Sequence, residues 1–121
     1  MSKEGAVPST GLRGPYPLTT DGVTKSVTST LPGAYALGFS DEKETFHVQY
    51  VGRSDDDVKA RLLKHVPEPY RQFKFEYYAS AKAAFEKECE LYHDFPNDNN
   101  KLHPARPEGS YWKCPRCTTF D

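Results

Sequence analysis

LPGAYALGFSDEKETFHVQYVGR, residues 31–53, is the stretch that decides the fold of this chain. Two apolar segments flank a polar centre. Tyr35-Ala36-Leu37-Gly38-Phe39 alternates so that Tyr35, Leu37 and Phe39 share one face, the period-two signature of a half-buried strand. Ser40 to Glu44 is polar and charged, which predicts a hairpin loop. Phe46 to Val51 reads as the partner strand, with Phe46, Val48 and Tyr50 on one face and His47, Gln49 and Val51 on the other. Gly52 is expected to end it.

Working outward, Ser54 or Asp55 is expected to cap a helix, because Asp55-Asp56-Asp57 suits the positive end of its dipole. That helix runs through Val58, Leu62 and Leu63 to His65, and Pro67 and Pro69 terminate it. Gln72 to Tyr78 alternates again, with Phe73, Phe75 and Tyr77 on one face, and predicts a third strand. Ser80 is placed to cap a second helix from Ala81 to about Asp94, stopped by Pro96. From Asn97 onward Pro and Gly recur and the chain turns irregular. The expected architecture is α+β: a three-stranded antiparallel sheet flanked by helices, in one domain of a 121-residue chain. Residues 1–31, rich in Ser, Thr, Gly and Pro and poor in large apolar residues, are expected to form a flexible arm, with the domain over 32–100 and an irregular tail over 101–121 packing on it.

The net charge of −1 does not mark a chain that grips many phosphates unaided, since such binding draws on a surplus of cations. Arg53, Lys59, Arg61, Lys64, Arg71 and Lys74 nevertheless concentrate positive charge mid-chain, partly offset by Asp55, Asp56, Asp57 and Glu68. We read weak intrinsic DNA affinity, supplemented by a protein partner that supplies targeting. No apolar run suits a signal peptide or a membrane span, which predicts an intracellular protein with no membrane contact.

Tyr35 and Tyr50 enter adjacent strands, Arg61 and His65 follow at i and i+4 on one helix face, and Glu88 lies on the later helix. Together they are the chemistry of phosphodiester hydrolysis: phenols and an imidazole handle protons, guanidinium grips phosphate through its fork geometry, and a carboxylate holds a hard divalent cation. Each taken alone is ordinary: strand aromatics, a solvated helix face, a charged helix.

In order and spacing the set resembles the GIY-YIG nuclease superfamily over about residues 32–100. Gly33-Ala34-Tyr35 stands for that family's first motif, with Ala34 where isoleucine or valine is usual, and Tyr50-Val51-Gly52 for its second. Arg53 fills the basic slot three places after Tyr50, and Arg61 the arginine slot, eleven places on rather than about ten. His65 takes the tyrosine-or-histidine slot one turn later. Glu88 fits the metal-binding glutamate by register over Glu86 and Glu90, since alternate helix positions differ by roughly 200°. Asn100, twelve residues further with Pro96 between, matches the closing asparagine, with Asn99 its competitor.

The resemblance implies a metal-dependent endonuclease acting on DNA. Glu88 holds Mg²⁺ or Mn²⁺, Arg61 grips the scissile phosphate, and Tyr35 positions or deprotonates water. His65 or Tyr50 hydrogen-bonds to assist, and which group finally takes the proton is left open. Arg53, Lys64 and Asn100 are the expected substrate contacts. The alternative is a non-catalytic module on the same fold, presenting Arg53, Arg61 and Lys64 to nucleic acid or protein.

An odd count of three cysteines argues against a disulfide framework. Cys114-Pro115-Arg116-Cys117 has the spacing of a zinc knuckle, and a tetrahedral site needs two further ligands. Cys89 and His93, at i and i+4, would complete it, with His103 the alternative fourth ligand. Otherwise Cys89 is a small core residue and the tail cysteines are free thiols or a redox pair.

Overall fold

The hairpin forms from Gly33–Ser40 (β2) and Phe46–Ser54 (β3) in a computed structural model that describes residues 9–121. Both strands outrun their expected ends, and β3 continues through Gly52. Its register holds a surprise: Leu37 pairs with Tyr50 but Gly38 with Val48, so Gln49 is a bulge. One extra residue inverts the alternation beyond it. Phe46 and Val48 therefore pack with Val51 on one face, while Tyr50 joins Tyr35 and Leu37 on the other. The expected grouping of Phe46 and Val48 with Tyr50 is corrected accordingly.

Val58–His65 (α2) follows, then Gln72–Tyr77 (β4) and Ala81–Asp94 (α3). Asp57 caps α2, accepting from the Ala60 amide, while Ser54 Oγ accepts from the amides of Asp56 and Asp57. The cap thus lies later than either expected residue. Ser80 caps α3 as expected, accepting from the Ala83 amide.

The arm expected over 1–31 is corrected for its described part; residues 1–8 lie outside the described residues. Arg13–Pro17 is a strand (β1) and Thr20–Ser26 a helix (α1). β1 pairs antiparallel with β4, so the sheet has four antiparallel strands in the order β1-β4-β2-β3 rather than three. The few apolar residues in this segment suffice because Leu18, Val23 and Val27 are all buried against the sheet. Pro15 and Pro17 are tolerated because β1 is an edge strand. Thr19 caps α1, and Tyr77 Oη accepts from the amides of Thr28 and Ser29, tying the following chain to β4.

Arg13 fastens β1 to β4 by donating to both oxygens of Glu76, at 3.3 and 2.7 Å. Those hydrogen bonds hold the Glu76 carboxyl below its ordinary range. A carboxyl lowered by folding contributes stability in full above its unfolded value and loses it as pH falls through the folded one. Urea midpoints should therefore decline in acid more for wild type than for Glu76→Gln. At this exposed pair the difference should stay below about 1 kcal/mol.

α1 and α2 cover one face of the sheet around Tyr35, Leu37, Phe73 and Phe75. α3 covers the other around Ala34, Ala36 and Val51, where the small alanines allow close approach. Leu91 of α3 and Phe95, its C-cap, are buried toward the sheet, and Ala84 is fully buried as well. Phe85 and Cys89 pack instead on the tail, against Cys114, Trp112, Cys117 and Phe120. Among the described residues no helix is long and apolar enough to cross a membrane.

Candidate active site

Tyr35 and Tyr50 lie on the α2 face of the sheet, where α2 brings up Arg61 and His65; Arg53 pairs with Ala34 and lies on the α3 face. The two sets meet at β3, an edge strand with no neighbour beyond it among the described residues. A cavity of about 240 Å³ opens there, lined by Tyr35, Tyr50, Gly52, Arg53, Asp55, Arg61, Glu88 and Ala105. Gly52 is what lets Tyr35 reach it: a Cβ at that position would stand 2.5 Å from the Tyr35 hydroxyl. Its role is thus a close approach, where the sequence reading made it a strand end.

Tyr35 is buried, and its hydroxyl lies 2.9 Å from His65 Nε2. His65 Nδ1 lies 2.8 Å from Glu68 Oε1. A carboxylate only accepts, so neutral His65 carries its proton on Nδ1 and donates it to Glu68. Its Nε2 then accepts from the Tyr35 hydroxyl. Burial, followed by the nearby Tyr50, pushes the Tyr35 phenol far above its ordinary pKa, against the pull of Arg61. Burial also raises Tyr50. At rest both phenols are proton donors rather than bases.

Arg53 is the hub on the α3 side. Its Nε donates to Asp55 Oδ1 at 2.7 Å, Nη1 to Glu88 Oε1 at 2.8 Å, and Nη2 to the Ala105 carbonyl at 2.8 Å. The guanidinium lies 5.0 Å from the Phe85 ring centroid, and the Arg53 and Glu88 side chains are only 12% and 13% exposed. Burial raises the pKa of Glu88 above its ordinary range, with Arg53 opposing. Glu88 Oε2 carries no hydrogen bond from the described residues and belongs to a cavity-lining side chain. Glu86 and Glu90 pair instead with Lys82 and Lys87, at 3.4 and 3.8 Å.

Tyr35, Tyr50, Arg53, Arg61 and Glu88 therefore line one cavity, with His65 behind Tyr35. Two of the three expected substrate contacts are engaged within the protein. Arg53 commits three of its five N–H donors to Asp55, Glu88 and Ala105, and so positions Glu88. Asn100 is a brace: its side chain accepts from the Val51 amide at 2.8 Å and donates to the Val51 carbonyl at 3.0 Å. Asn99 donates to the Gln49 carbonyl, so the two asparagines cover part of the exposed edge of β3. Lys64 is exposed and does not line the cavity. Arg61 does, and it makes no ion pair among the described residues.

Asp55, Glu68 and Ala105 were not anticipated as site residues. The i,i+3 spacing of His65 and Glu68 carried a signal for that pair. Asp55 was masked by its acidic neighbours, and a backbone carbonyl such as Ala105 leaves no trace in the side-chain pattern.

A second group lies on the tail side of α3. One ligand atom each from His93, His103, Cys114 and Cys117 comes within 4.8 Å of the others, a set that could hold a metal ion. Cys89 is not among them. It is fully buried between Phe85 and Cys114, and burial, then a hydrogen bond with Cys114, pushes its thiol up. The fourth ligand position expected for Cys89 thus belongs to His103. All three cysteines are free thiols.

No family model, no curated protein and no solved structure matches this chain.

Proposed function

We propose that the chain is a metal-dependent endonuclease of GIY-YIG type that hydrolyses DNA phosphodiester bonds in the cavity at the edge of β3. The observation that carries this reading is the convergence of two phenols, an arginine outside any described ion pair and a buried carboxylate on one small polar cavity. Glu88, through Oε2, would hold Mg²⁺ or Mn²⁺, a hard cation suited to a carboxylate, and the ion when bound would draw negative charge from the scissile phosphate and the departing 3′ oxygen.

Arg61, exposed at the rim, grips a non-bridging oxygen. Tyr35 cannot act as a resting base, because its phenol is protonated. It instead passes a proton on: as the attacking water loses a proton to Tyr35 Oη, the phenol proton moves to His65 Nε2. The imidazolium that forms is held by Glu68. Tyr50, on the same wall, orients the water. DNA is the partner this reading assigns, with Lys64 reaching phosphates beyond the cavity.

Single-turnover cleavage of branched and plasmid DNA tests these assignments. Tyr35→Phe and Arg61→Ala should each slow metal-dependent cleavage by about 10²-fold or more without shifting the unfolding midpoint appreciably. Rates equal to wild type in both variants would remove the reading.

A further inference from the structure

We infer that His93, His103, Cys114 and Cys117 bind one Zn²⁺, and that this ion fixes the loop whose Ala105 carbonyl holds Arg53 against Glu88. Zinc binding stands apart from the nuclease reading; only the importance of the Glu88 carboxylate rests on it.

The donor set is two thiols and two imidazoles, a common composition of closed structural zinc sites. Tetrahedral geometry with zinc–sulfur and zinc–nitrogen bonds of about 2.3 and 2.0 Å puts neighbouring S and N ligands about 3.5 Å apart. Cys117 Sγ and His103 Nε2 are already 3.4 Å apart, and all four ligand atoms lie within 4.8 Å. His103 Nδ1 donates to the Pro104 carbonyl at 2.9 Å, which leaves the Nε2 lone pair facing the sulfur.

His93 Nε2 is buried with no hydrogen-bond partner among the described residues. Such a nitrogen costs folding energy unless something binds it, and a metal ion would. The surroundings are built as a shell: Arg116 donates to both oxygens of Asp94 on α3, and the His103 ring meets Tyr92, His93 and Phe120 edge to face.

The tail has no helix or strand of its own, so it is held by this cluster, the Arg116–Asp94 pair, the Arg53–Ala105 hydrogen bond and a few aromatic contacts. Ala105 lies two residues beyond His103. Pinning His103 pins the carbonyl that receives Arg53 Nη2, and Arg53 in turn fixes Glu88 Oε1. Arg53 is a positioning residue in this scheme.

The test uses the full chain, with Zn²⁺ and Co²⁺ as probes. Wild type should bind one Zn²⁺ per chain, and the Co²⁺-substituted protein should show the intense visible absorption of a tetrahedral thiolate site. Cys117→Ser and His103→Ala should each lose more than about 100-fold in Zn²⁺ affinity, beyond what loss of an outer-shell partner costs. Cys89→Ser should keep it. Trp112, the only tryptophan, packs on Phe85 and should shift its fluorescence when zinc is removed.

For the coupling, the Arg53 Nε–H should exchange slowly with solvent in the zinc-loaded protein and at least about tenfold faster in Cys117→Ser, while sheet amides stay protected. Failure of wild type to take up Zn²⁺, or loss of binding in Cys89→Ser but not in Cys117→Ser, would overturn the site. Unchanged Arg53 exchange after zinc loss would overturn the coupling. None of these readouts depends on DNA cleavage, so a failure here is distinct from failure of the nuclease reading.

Discussion

Glu88→Gln is expected to reduce metal-dependent cleavage by about 10²–10³-fold and to abolish Mn²⁺ binding at the cavity, with little loss of stability. The argument turns on what the amide keeps. The substituted side chain retains the shape of the original and an oxygen to accept from Arg53 Nη1, and Arg53 retains Asp55 and Ala105. Removing one member of a buried ion pair usually costs several kcal/mol because the other charge is stranded. Here Arg53 is not stranded. Burial has already raised the Glu88 pKa, so the fold holds the carboxylate ion at a cost that the neutral amide lacks. Only the charge available to a cation is lost. Mn²⁺ titration, cleavage rates and thermal unfolding of the same preparation separate these effects. A variant that still cleaves at the wild-type rate but unfolds several degrees lower would make Glu88 a structural residue.

Gly52→Ala is expected to be as damaging to activity while removing no polar group. The added methyl would lie 2.5 Å from both Cζ and Oη of Tyr35, whose ring is buried and has no free space to enter. Either the ring turns, breaking the 2.9 Å contact with His65, or β3 moves away from β2. Overpacking of this kind costs about 1–3 kcal/mol. Cleavage should fall about 10²-fold or more, since the phenol to which the proposed mechanism gives the water is displaced from His65. Adding Tyr35→Phe to Gly52→Ala should recover neither stability nor cleavage, because the phenylalanine ring keeps the Cζ and Cε1 that the methyl meets at 2.5 and 2.9 Å. Recovery of cleavage in the double variant would show that the Tyr35 hydroxyl has no part in the reaction.

What the sequence revealed follows from which features are local. Strand alternation around Tyr35 and Phe75 and the caps and stops of α3 depend on neighbours in the chain, and they were legible. β1 was not, because its pairing is decided by β4, far along the chain, and by one ion pair at Glu76. The Gln49 bulge was equally hidden: alternation cannot reveal where a ladder skips a residue. At the site, spacing placed Arg61 and His65 on one helix face, and the family resemblance pointed to Glu88 over Glu86 and Glu90.

It missed the protein partners of Arg53 and Asn100 for one shared reason. Both are polar residues, and whether they serve a substrate or the protein depends on partners distant in the chain, Glu88 and Ala105 for Arg53 and Val51 for Asn100. The i,i+4 rule correctly put Cys89 and His93 on one side of α3 but could not show that Cys89 lies deeper, behind Cys114. The path of the tail decides that His103 completes the set.

The most direct measurement incubates supercoiled plasmid, branched and single-stranded DNA with wild type and with Glu88→Gln, in Mg²⁺, Mn²⁺ or chelator, and determines the chemistry of the ends. The account predicts cleavage by wild type only with metal, leaving 5′-phosphate and 3′-hydroxyl ends, and a loss of about 10²–10³-fold in the variant. Equal cleavage by the two proteins, or salt-sensitive DNA binding by wild type with no metal-dependent turnover on any substrate, would contradict it.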